Sequence, residues 1–134
     1  MKTVTLQDYK IYTDNLYSFS MNGNKIIINT INAHSYIVAK KDNEFREALL
    51  SSDILLPDGE GIVLMAKRLK SKKIKKIAGA EIHDQLLAIA DREKLKCFYL
   101  GASDSTLKLI INKLSYSYRN IHFGSFSPQF KEEF

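Results

Sequence analysis

The chain has 134 residues, of which 45% are hydrophobic and 26% charged, and it carries a formal net charge of +5. That balance excludes a disordered segment, which needs low hydrophobicity with high net charge, and it suits a single compact domain spanning residues 1–134. One cysteine, Cys97, excludes an internal disulfide and a cysteine-based metal cluster. The segment Met1–Asp8 lacks the apolar core of a secretion signal, and no run approaches the roughly 18 apolar residues of a membrane span, so a cytoplasmic location is expected.

In chain order, Asn24 to Ile31 contains Ile26-Ile27-Ile28 and predicts a buried strand, because a short β-branched run fits the centre of a parallel sheet. Asn32 to Lys41 and Asp42 to Ser51 read as a helical pair, with Asp42 as a cap and Phe45, Ala48 and Leu49 on one apolar face. Asp53-Ile54-Leu55-Leu56 is the next strand, ended by Pro57-Asp58-Gly59. Helices follow over Ile62–Leu69 and Ala80–Glu93, then a strand over Lys96–Leu100 and a turn over Gly101–Asp104. A helix over Ser105–Tyr116 and a strand over Ile121–Phe123 complete the series. Alternating strands and helices predict an α/β fold, a Rossmann-like, mostly parallel sheet with helices on both faces.

Ligands of open α/β sheets bind beyond the carboxyl ends of the strands. Three segments are expected along that rim: Asn29–His34, Pro57–Gly61 and Gly101–Asp104. Asp58 is the catalytic candidate, since a carboxylate at a strand end in a glycine-rich turn can accept a proton from a sugar hydroxyl; the competing reading is a helix N-cap. Thr30 and Asn32 form a Thr-x-Asn element able to bind a sugar, a phosphate or the neighbouring backbone. Lys76, three residues before Gly79, could neutralise a diphosphate if the Gly79 turn folds it toward the rim.

Gly101-Ala102-Ser103 only loosely resembles a phosphate-binding turn, and the full Gly-x-Gly-x-x-Gly fingerprint is absent, which argues against NAD. His34, His83 and His122 are scattered without zinc-ligand spacing, and no Asp-x-Asp element is present, so neither a metal nor another cofactor is expected. The charge is concentrated in Lys67, Arg68, Lys70, Lys72, Lys73, Lys75 and Lys76. Such a run attracts phosphate-bearing partners, yet without interleaved aromatics or a base-reading module no nucleic acid partner is expected.

The strings Ile28–Tyr36 and Asp53–Ile62, followed by Ile77–Glu81, Phe98–Ala102 and Gly124–Pro128, resemble the WecG/TagA/CpsF glycosyltransferase family in order and spacing. The resemblance covers nearly everything after Lys25. It implies an inverting, metal-independent transferase peripheral to the cytoplasmic face of the membrane. Its donor would be UDP-N-acetylmannosamine or the uronic acid, and its acceptor a polyprenyl-diphosphate-linked amino sugar of teichoic acid or other surface-polysaccharide synthesis. By position, Asp58 resembles the family's general base, and Thr30, Asn32, Lys76, Gly79, Glu81 and Gly101 match substrate-binding positions. Lys76 stands where relatives often carry arginine, Glu81 where they usually carry aspartate, and Glu60 where they commonly carry an apolar residue.

Family members continue beyond the position of Phe134, so the sequence is expected to be the amino-terminal part of such a domain. Exposed sheet edges and helix faces then predict self-association. The rival reading is a non-catalytic sugar-nucleotide or nucleic-acid binding module that uses Lys67–Lys76.

Overall fold

The computed structural model describes residues 1–18 and 25–129. The chain packs as two compact units, Met1–His83 and Asp84–Phe134. In the first, β1 (Thr3–Leu6) and β2 (Tyr9–Tyr12) form an antiparallel hairpin that has no counterpart among the predicted elements. Its two-residue turn, Gln7-Asp8, puts Gln7 at φ 54°, a conformation that usually calls for glycine or asparagine, so no turn signal marks the hairpin in the sequence.

A 3-10 turn follows at Leu16–Ser18, and then β3 (Ile28–Ile31), α1 (Ala33–Ala39), α2 (Asn43–Leu50), β4 (Ile54–Pro57) and α3 (Glu60–Lys70). The strand order is β1-β2-β4-β3, with β4 parallel to both β2 and β3. This corrects the predicted strand over Asn24–Ile31. Only its last four residues form β3, Ile27 is exposed, and Asn24 lies outside the described residues. The central strand is β4, hydrogen-bonded on both sides and buried at all four positions.

The side chains of Val4, Leu6, Ile11, Leu55 and Ile31 on one face pack with Ala39 of α1, Leu49 of α2, and Ile62 and Ala66 of α3. Burying the valine, leucine and isoleucine side chains stabilises the unit by about 1.5–3 kcal/mol per fully buried side chain. Local signals place the helix starts. Asp42 accepts from the Phe45 N–H at 2.9 Å and caps α2 as predicted.

Helix α4 (Gly79–Arg92) leads to β5 (Lys96–Leu100), α5 (Asp104–Ser117) and β6 (His122–Phe126). β5 and β6 pair in parallel as a sheet of their own, with Lys96 opposite His122 and Leu100 opposite Phe126. The apolar cluster of the second unit joins Leu87, Ala90 and Ile121 with Leu95, Cys97, Leu114, Tyr118 and Phe123. Three of the four strand pairings are parallel and strands alternate with helices, the predicted α/β, Rossmann-like layout. The strands are shared between two sheets where one was expected.

Candidate active site

The carboxyl ends of β3 and β4 lie side by side, because the parallel ladder runs to Ile31 opposite Pro57 and is extended by a 2.9 Å bond from the Asp58 N–H to the Ile31 carbonyl. Asn32 is therefore the neighbour of Asp58 across the ladder. The backbone of Asn32 is still extended (φ −126°, ψ 179°), so its side chain leaves the sheet on the same side as that of Thr30, two residues earlier. Thr30, Asn32 and Asp58 are all half-buried. Predicted from separate segments, the three meet on one rim.

Asn32 and Ser35 form a reciprocal capping box at the start of α1. The Asn32 Oδ1 accepts from the Ser35 N–H at 2.9 Å, and the Ser35 Oγ accepts from the Asn32 N–H at 2.8 Å. The carbonyl of the Asn32 amide is thus engaged in holding the helix, and its NH2 group is the part available to a ligand.

Asp58 does not cap α3. That position belongs to Gly59, which provides no side-chain cap, and no described residue bonds the Asp58 carboxylate. Gly59 has φ 97°, a region costly for any residue with a Cβ, and Gly61 brings α3 so close to α1 that an added Cβ would stand 3.0 Å from the Ala33 Cβ. The two glycines turn the chain out of β4 against the Asn32-Ala33 corner. The first-turn N–H groups of α3 are left for a ligand oxygen, at the positive end of the helix dipole.

The segment before α4 returns to the same rim, where the Ile77 N–H donates to the Pro57 carbonyl at 2.8 Å. This bond, which nothing in the sequence signalled, puts Lys76 next to the strand end that carries Asp58. The Lys76 Nζ lies 3.9 Å from the Glu60 Oε1, a solvent-exposed pair worth no more than about 1 kcal/mol. Lys76 and Glu60 therefore face each other. Glu81 accepts from the Ala78 N–H at 2.7 Å and so caps the start of α4, while the space around Gly79 is open.

Gly101 belongs to the second unit. It follows β5 with φ 105°, its N–H donates to the Phe126 carbonyl at 3.0 Å, and Ser103 caps α5 by accepting from the Thr106 N–H. Among the described residues, no three His, Cys, Asp or Glu side chains cluster as metal ligands. No helix among them is long and apolar enough to cross a membrane. A hollow of about 300 Å³ lined by Asp8, Tyr9, Tyr36, Lys40 and Arg46 contains none of the predicted site residues and is spanned by a 2.7 Å Arg46–Asp8 ion pair.

Residues 3–134 match the glycosyl transferase WecG/TagA/CpsF family. The chain is 29% identical over 141 residues to the N-acetylglucosaminyldiphosphoundecaprenol N-acetyl-beta-D-mannosaminyltransferase of Bacillus subtilis (strain 168), covering 99% of this chain and 55% of that protein. It is 30% identical over 113 residues to the protein of the same description from Staphylococcus aureus (strain NCTC 8325 / PS 47), covering 83% and 44%. The chain spans about half the length of the curated relatives it matches.

Proposed function

From the premise that this chain belongs to the WecG/TagA/CpsF glycosyltransferase family, we propose that it carries the base-bearing part of an enzyme that transfers N-acetylmannosamine, or its uronic acid, from UDP to a polyprenyl-diphosphate-linked amino sugar. The observation that supports this reading best is the Asp58 carboxylate, placed at the end of a buried strand, beside Asn32 and without a partner among the described residues. A carboxylate engaged as a helix cap has an oxygen occupied by backbone N–H groups, whereas Asp58, which does not cap α3, leaves its oxygens to an acceptor hydroxyl.

In the proposed reaction an acceptor hydroxyl gives its proton to Asp58 as its oxygen attacks the anomeric carbon. The bond from that carbon to the β-phosphate oxygen breaks on the opposite side, so the configuration inverts and UDP leaves with the electron pair. Thr30 and the Asn32 NH2 group orient the sugar. Lys76 and the uncapped N–H groups of α3 meet the charge that develops on the diphosphate, the task a divalent metal performs in other sugar-nucleotide enzymes. Both units belong to one catalytic domain in this proposal. The acceptor's lipid keeps the protein at the inner face of the cell membrane, in the synthesis of teichoic acid or another surface polysaccharide.

The test is UDP release by the full reading frame on a lipid-diphosphate amino-sugar acceptor, with UDP-N-acetylmannosamine compared against UDP-N-acetylglucosamine. Asp58→Asn is expected to lower turnover by at least about a hundredfold with an unchanged circular dichroism spectrum and melting temperature. Turnover retained in that variant would show that the base lies elsewhere.

A further inference from the structure

Between Gly61 and Ala80 the sequence holds seven cations, no acidic residue and no aromatic one. The rest of the chain has thirteen cations against fifteen acids, so the whole positive charge of the molecule resides in this segment. All seven side chains are exposed, and apart from Lys76 none has an ion pair among the described residues.

The fold arranges these charges as a strip. Helix α3 leaves the rim at Gly59 and ends about 16 Å away, at 1.5 Å per residue, where Ser71 takes the left-handed conformation (φ 51°) and the Lys72 N–H bonds the Ala66 carbonyl at 3.2 Å. The chain then returns to the rim by Ile77, six residues on, a distance that nearly extended backbone covers. Ile74 packs against the core and holds the return segment down. The cations consequently run from the far end of α3 back to Lys76 beside Asp58. Leu64 and Leu69 are half or more exposed on the same helix, at 50% and 56%.

We propose that this strip is a docking surface for anionic phospholipid headgroups, with Leu69 entering the interface between them. The proposal rests on the reading of the protein as a transferase with a lipid-linked acceptor, and it names the surface that brings the rim to that lipid. Two features favour a membrane over a nucleic acid: the apolar groups among the charges are aliphatic, and no aromatic is present to stack on a base. Charge complementarity supplies the attraction, and the aliphatic side chains reward a surface with a hydrocarbon layer beneath it.

The experiment is sedimentation of the full-length protein with vesicles of phosphatidylcholine alone or mixed with phosphatidylglycerol, alongside the variant Lys70→Glu/Lys72→Glu/Lys73→Glu. Binding is expected only to the phosphatidylglycerol vesicles, weakening as salt rises, and the charge-reversed variant should partition at least about a hundredfold less. Arginine at the same three positions should retain binding, and Leu69→Ser should weaken it without changing the salt dependence. UDP release is measured in parallel on a water-soluble, short-chain acceptor, where the charge-reversed variant should match the wild type; this arm reports on the transferase reading separately from docking. Equal sedimentation of the charge-reversed variant would overturn the proposal. So would equal binding to neutral vesicles, or salt-sensitive RNA binding with no vesicle binding.

Discussion

Asn32 does two things with one side chain. Its carbonyl oxygen closes the first turn of α1, which leaves its NH2 group for a ligand at the strand end next to Asp58. Substitutions separate the two roles. Serine also caps helices well, so Asn32→Ser is expected to keep the melting temperature while raising KM for the donor or acceptor, whereas Asn32→Ala should also lose about 1 kcal/mol of stability. Thermal melts and steady-state kinetics check this; unchanged kinetics in Asn32→Ser would reduce Asn32 to a cap. The sequence raised both readings of this residue and could not choose, because binding a ligand and capping a helix call on the same polar atoms. For Asp58 the ambiguity was one of position. An Asp-Gly pair before a helix allows either residue to be the cap, and the positive φ of Gly59 places the cap one residue after the carboxylate.

At the level of elements, the helices were legible because each has a 3.6-residue apolar stripe and most have a polar residue at the start. The strands were harder to read. β1 alternates polar and apolar residues over only four positions, β2 (Tyr-Lys-Ile-Tyr) breaks the alternation at its last two, the two are joined by a turn without glycine, and the isoleucine run before β3 drew the predicted strand too far back. β5 was placed correctly, and its packing has a consequence for pH. Burial first, and then a hydrogen bond with Cys97, raise the Tyr99 pKa well above its ordinary value of 10.0, and the ring stacks on Phe123 at 6.3 Å. A raised phenol pKa means that the folded state favours the neutral ring. The stability it contributes is complete below pH 10 and is lost as pH rises above that toward the folded pKa. Tyr99→Phe should therefore move the midpoint of alkaline unfolding, followed by circular dichroism, to higher pH; an unmoved midpoint would mean that the phenol ionises equally well in the folded protein.

At the scale of the whole molecule, the α/β class followed from the alternation of strands and helices, since that pattern depends on neighbours in sequence. The division of the strands between two sheets did not, because strand pairing joins residues far apart in the chain. The same holds for the site: each candidate was visible in its own segment, but the 2.8 Å bond that brings the Lys76 segment to the end of β4 was not. The charges gathered there lead to a prediction for the complete enzyme. If Lys76 and the start of α3 together neutralise the leaving diphosphate, UDP release by the full-length protein should persist after EDTA treatment and be unchanged by added magnesium. A rate that collapses with EDTA and recovers with magnesium would exclude the metal-free mechanism. The Ile77–Pro57 bond also makes a single amide proton a natural reporter. It joins the basic strip to the strand that carries Asp58, so its exchange with solvent deuterium measures how firmly the surface element and the catalytic strand are held together, residue by residue and without an assay for either.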